Sequence, residues 1–106
     1  MKKTISLAVL SLLPLTAAAY PIDVEKSLNG AEVSYDVQEL ARDMGAIFLV
    51  NQGESAARCT AYFRSGPDTP RTRKVLLQSG ERATLSVRFT RDIMRLRIRL
   101  ECELDR

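Results

Sequence analysis

The sequence predicts an all-β protein built as a single small antiparallel β-sandwich. Residues 94–104 alternate without a fault: Met94, Leu96, Ile98, Leu100, Cys102 and Leu104 are apolar, while Arg95, Arg97, Arg99, Glu101 and Glu103 are charged. On a helix that spacing scatters both classes around the cylinder; on a strand it sorts them onto two faces. Further segments of strand length and composition bring the expected total to six or seven, with turn signals between them. No helical periodicity persists beyond a turn or two. The pattern fits a sandwich of the immunoglobulin-like kind, with a small β-barrel as the alternative. The tryptophan of antibody domains is missing, so the likeness expected is one of architecture.

Taken in order, residues 20–26 form a short first strand that Pro21 confines to an edge or a strand start. Asn29-Gly30 marks a turn. Residues 31–40 alternate, with Ala31, Val33, Tyr35 and Val37 set against Glu32, Ser34, Asp36 and Gln38, which predicts a half-buried strand. Residues 38–44 contain helix formers, and a single helical turn ended by Gly45 is expected there. Residues 46–50 are continuously apolar and predict a central strand covered on both faces. Asn51-Gln52-Gly53 turns the chain.

Residues 57–64 alternate again, with Ala57, Cys59, Ala61 and Phe63 on one face and Arg58, Thr60, Tyr62 and Arg64 on the other. Pro67 and Pro70 make residues 65–70 a loop. Residues 71–78 form a strand with a basic start, residues 79–81 turn, and residues 82–90 place Ala83, Leu85, Val87 and Phe89 inward. Arg91-Asp92 then closes a two-residue hairpin onto the last strand. In that register Arg88 faces Arg95, Ser86 faces Arg97, Thr84 faces Arg99 and Arg82 faces Glu101, while Phe89 meets Met94, Val87 meets Leu96 and Leu85 meets Ile98.

The first nineteen residues predict a targeting segment rather than a structural element. Lys2 and Lys3 precede the apolar run 5–15, and Ala17-Ala18-Ala19 supplies a small-residue cleavage site. That run falls short of the ~20 residues needed to span a bilayer. Cleavage after Ala19 leaves a single domain, residues 20–106, in the periplasm or outside the cell, with no transmembrane segment. Cys59 and Cys102 are the only cysteines, and an even count in an exported chain predicts a disulfide between them. Both lie on the inward phase of their strands. In the chain-entropy account a bridge closing so long a loop contributes ~4 kcal/mol.

Charge is uneven along the domain. Residues 20–43 hold six acids and two bases, residues 44–100 four acids and eleven bases, and residues 101–106 three acids and one base. Folding decides whether this polarity survives in space.

The chain has no histidine. Ser–His and Cys–His nucleophiles and histidine-ligated metals are therefore excluded, and no glycine-rich phosphate loop is present. No metal or cofactor site is expected. Asp23, Glu25, Glu32, Asp36, Glu39 and Asp43 could supply an acid–base pair, which keeps a small hydrolase as a third reading. The stronger feature is basic. Arg88, Arg95, Arg97 and Arg99 are expected on one outward face, successive arginines on a strand standing ~7 Å apart, as a candidate site for phosphates or carboxylates. Arg71, Arg73 and Lys74 form a second candidate cluster after the proline-containing loop. An acidic protein or an anionic envelope component is the partner such a face suits; nucleic acid is disfavoured by the compartment and by the few outward aromatics.

Residues 20–26 (Tyr-Pro-Ile-Asp-Val-Glu-Lys), 28–35, 44–47, 55–59, 64–67 and 70–75 together resemble a group of small exported bacterial proteins of unknown function. The resemblance covers the whole of residues 20–106 and implies no catalytic residues. Members of that group sometimes carry the name 3-phosphoglycerate kinase. That enzyme is a large two-domain cytoplasmic α/β protein, and no stretch here could form its nucleotide or phosphoglycerate sites, so the name is expected not to apply. The leading expectation is a non-enzymatic exported binding or structural module, with an envelope- or anion-associated protein as the alternative.

Overall fold

A computed structural model describes residues 20–105; the expected signal peptide, residues 1–19, lies outside the described residues. Seven strands follow one another: β1 (Ile22–Ser27), β2 (Val33–Ala41), β3 (Met44–Asn51), β4 (Ala57–Arg64), β5 (Arg71–Leu77), β6 (Arg82–Arg88) and β7 (Leu96–Leu104). They form two sheets, ordered β1-β7-β4-β5 and β2-β3-β6, that do not close into a barrel. The expected sandwich is therefore what forms. No helix among the described residues is long and apolar enough to cross a membrane.

The alternating segments bury one face each because side chains change sides at every residue of a strand. Ile47, Leu49, Leu85 and Val87 come from the three-stranded sheet. Ala61, Phe63, Leu77, Leu96, Ile98 and Leu100 come from the four-stranded sheet. Burying each of the larger ones contributes about 1.5–3 kcal/mol. The disulfide lies in this core. Cys59 and Cys102 are direct partners across the antiparallel β4–β7 ladder, with Cα atoms 4.0 Å apart. It ties two strands of one sheet rather than clamping one layer to the other.

Four expectations need correction. The helical turn over residues 38–44 does not form: β2 runs to Ala41 and a tight reversal at Arg42-Asp43 leads into β3. Propensity alone was weak, and pairing of both arms over-rode it. Residues 46–50 do lie in the central strand of their sheet, but Phe48 and Val50 remain partly exposed. The pairing of β1 with β7 is parallel, so the sandwich is not wholly antiparallel.

The largest correction concerns the last hairpin. β6 pairs with β3 and β7 pairs with β1 and β4, so the two belong to different sheets. None of the expected pairs from Arg88–Arg95 to Arg82–Glu101 exists, nor do the Phe89–Met94, Val87–Leu96 and Leu85–Ile98 contacts across a ladder. The favoured two-residue hairpin turns need positive φ, and among the described non-glycine residues only Asn29 has it. Instead, residues 89–95 cross between layers. The Phe89 and Ile93 N–H groups donate to the carbonyls of Asp43 and Arg42, at 2.8 and 2.7 Å. The alternation slips in this crossing: Ile93 is buried, and Met94 is 83% exposed.

Two residues hold the layers at their spacing. Gly45 of β3 has no side chain because a Cβ would stand 2.6 Å from Leu96 Cδ2 and 3.3 Å from the Tyr20 hydroxyl. Asn51 is a buried polar hub. Its Nδ2 donates to the carbonyls of Ser55 and Leu77, at 2.9 and 3.0 Å, and its Oδ1 accepts from the Gly53 N–H at 3.0 Å. Every polar atom of that side chain is thereby satisfied.

Candidate functional site

The outward face of the β1-β7-β4-β5 sheet is where the charged residues of the alternating strands collect. The ladder registers order them in rows. Asp23, Arg97 and Arg64 lie side by side; next come Glu25, Arg99, Tyr62 and Thr72; then Ser27, Glu101, Thr60 and Lys74. Arg97 and Arg99 are thus where the alternation placed them. Arg95 lies just before β7 and donates to Asp23 at 3.2 Å. Arg88 is elsewhere: it ends β6 in the other sheet, 3.8 Å from the Asp43 carboxylate and against the Met44 sulfur. The arginine that takes its place is Arg64.

Arg64 and Arg97 are direct neighbours across the β4–β7 ladder, and both are exposed. Like charges in directly opposed positions destabilise a sheet by a few tenths of a kcal/mol, up to about 1. Among the described residues neither guanidinium forms a salt bridge within 4.0 Å, although Asp23 is the neighbour of Arg97 across the β1–β7 ladder. Arg99 differs, because it is paired with Glu101 at 3.2 Å and lies 4.5 Å above the Tyr62 ring. Two shallow hollows of about 480 and 610 Å³ meet at this pair. The first is walled by Arg91, Asp92, Met94, Arg95 and the loop 65–68 with Asp68, the second by Tyr62, Pro70, Arg99, Asp23 and Glu25. Arg64 and Arg97 line both, so the hollows form one trough and meet at this opposed pair of cations.

The second expected cluster is split by the fold. Arg71 and Arg73 occupy inward-phase positions of β5, opposite Phe63 and Ala61, while Lys74 points outward beside Thr60. At the open side of the sandwich Arg73 Nε donates to the Ser86 carbonyl at 3.2 Å, and the Arg71 guanidinium lies 5.9 Å over the Phe89 ring. These two arginines cover the gap between the edge strands β5 and β6, with their stems on apolar surface.

The six carboxylates are spread over several places: Asp23 and Glu25 share the second hollow, and Glu39 and Asp43 lie near Tyr20. Asp23 is held by Arg95 and Asp43 faces Arg88, while Asp36 accepts the Val37 N–H and Glu32 lies in a hollow at the opposite end, beside Glu54 and Leu104. Among the described residues one ionisable side chain is strongly shifted. Burial, with Glu39 and Asp43 nearby, pushes the Tyr20 phenol up to about 12. That hydroxyl donates to the Met44 carbonyl at 2.6 Å, which marks it as an anchor for the start of the domain. No protein-family model matches this chain, and no curated protein is significantly similar to it.

Sequence reasoning missed Arg64, although its outward phase was legible. The disulfide held the missing signal. If the cysteines are direct cross-strand partners, stepping five residues out from each reaches Arg64 and Arg97.

Proposed function

We propose that this chain is an exported, non-catalytic binding module that takes an anionic partner on the outer face of its four-stranded sheet. The single observation that carries the reading is the directly opposed pair Arg64 and Arg97, which line a trough and form no salt bridge among the described residues. An anion bridging two guanidiniums removes their mutual repulsion and gains charge-assisted hydrogen bonds. The site therefore gains most when filled, whereas Arg95 and Arg99 already have internal carboxylates. Export is supported by the expected leader in residues 1–19, by the resemblance to small exported bacterial proteins, and by the buried disulfide, which suits an oxidising compartment. We read the architecture as immunoglobulin-like. Four and three strands in two layers favour that reading, while the in-sheet disulfide and the parallel first strand set it apart from antibody domains.

Retention of residues 20–106 on immobilised heparin, followed as salt rises, tests the reading. Retention at low salt that weakens steadily, and that drops in a folded Arg64→Ser/Arg97→Ser variant, is the expected result. Retention unchanged in that variant, or absent at low salt in the native chain, ends it.

A further inference from the structure

We infer that the trough takes one kind of anion, an extended acidic segment of a partner polypeptide, with carboxylates at alternate positions and an apolar side chain seated on Met94. This deepens the proposed function and rests on it. Four observations select the occupant.

The first is shape. The residues lining the trough run from Met94, just before β7, to Arg99 within it, and at about 3.3 Å per residue that is room for roughly five residues of extended chain. A linear hollow suits a strand-like ligand better than the flat surface of a bilayer.

The second is repeat. Arg97 and Arg99 stand on the outward face of β7, about 7 Å apart along the strand, with Arg95 just before it. An extended polypeptide with acids at alternate residues repeats its carboxylates at the same interval. Contiguous acids would turn half of them away from the sheet.

The third is spare charge. The guanidiniums of Arg64, Arg91 and Arg97 form no salt bridge within 4.0 Å among the described residues, and all three residues line the first hollow beside Asp92 and Asp68, whose carboxylate accepts the Arg91 backbone N–H at 3.2 Å. The Arg95–Asp23 and Arg99–Glu101 pairs beside them are exposed on both partners. Exposed pairs contribute little and exchange readily with an incoming carboxylate.

The fourth is Met94, which separates a polypeptide from a polysaccharide. It is 83% exposed in the wall of the first hollow, between arginines. An unbranched thioether adapts to apolar side chains of several shapes, and such residues recur on peptide-binding surfaces. A sugar ring would instead seek a free aromatic face, and Arg99 already covers Tyr62 at 4.5 Å.

Fluorescence anisotropy of residues 20–106 tests this with four probes at low and moderate salt. They are a labelled octapeptide with four glutamates at alternate positions and one leucine, an isomer with its glutamates contiguous, a heparin octasaccharide and vesicles of phosphatidylglycerol. The alternating peptide should bind about fivefold or more tighter than its isomer, and Arg64→Ser/Arg97→Ser should weaken it about tenfold. Met94→Ser, on a side chain that supports no packing, should weaken the leucine-bearing peptide about threefold and leave the octasaccharide unchanged. Equal binding of the two peptides, preference for the octasaccharide or the vesicles, or indifference to Met94→Ser overturns the inference and leaves the anion-binding reading standing. Absence of binding to every probe at low salt overturns both.

Discussion

Cys59 and Cys102 face each other directly across the β4–β7 ladder, and that one pairing sets every other neighbour along the two strands. It places Tyr62 beside Arg99 and Arg64 beside Arg97. The covalent bond and the basic trough are two consequences of a single register. Slipping either strand by one residue would turn its own arginine, Arg64 or Arg97, toward the core, so the bridge protects the site as well as the fold.

Replacing both cysteines by alanine should lower unfolding free energy by about 2–4 kcal/mol, read by denaturant titration. Both are buried, at 0% and 2% exposure. Reductant should therefore leave the folded protein intact and act only near the unfolding midpoint. Rapid reduction in native buffer would contradict the buried placement.

Arg64→Ser/Arg97→Ser should move stability and binding in opposite directions. Relief of the opposed charges should raise stability by a few tenths of a kcal/mol, most clearly at low salt, while heparin retention falls. A variant that loses both would show the arginines to be packing elements instead.

Tyr20 should give the fold an alkaline limit. Its folded value of about 12 lies above the ordinary value of 10.0, so folding favours the protonated phenol. The stability this brings is fully present below pH 10 and is lost as pH rises from 10 through 12. Tyr20→Phe loses the hydrogen bond to the Met44 carbonyl and should cost about 1 kcal/mol at neutral pH. Its melting temperature should also fall less steeply across that alkaline window than that of the native chain.

Gly45→Ala should destabilise by about 1–3 kcal/mol, because its Cβ meets the fully buried Leu96 side chain. A second-site Leu96→Ala should relieve the clash and recover part of the loss attributable to Gly45→Ala. Additive losses in that double-mutant cycle would contradict it.

Asn51→Ala should cost about 2–3 kcal/mol by stripping donors from the buried Leu77 carbonyl and from that of Ser55. Asn51→Asp should be no better, since a carboxylate cannot donate to either. Thermal melts of the three proteins, compared at neutral pH, check the ranking.

Strand content was legible because alternation is a local property. β4 spans the residues its alternation marked, and the inward phases of Leu85, Val87 and Phe89 hold. The parity of Cys59 and Cys102 likewise survived folding. The trough was not legible, because it joins two strands that are far apart in sequence. The expected Arg88–Arg95 neighbourhood failed since adjacent strands need not share a sheet, and neither Arg91 nor Asp92 adopts the positive φ that the favoured tight hairpins use.

By itself the sequence determined which residues alternate, which faces are apolar, which two thiols exist and which catalytic side chains are lacking. Tertiary structure alone decided that β7 lies between β1 and β4 rather than beside β6, and hence that Arg64, not Arg88, stands next to Arg97. The physical reason is that alternation fixes the side of a sheet a residue occupies, whereas its neighbour across the ladder depends on contacts between distant strands, which the whole core selects.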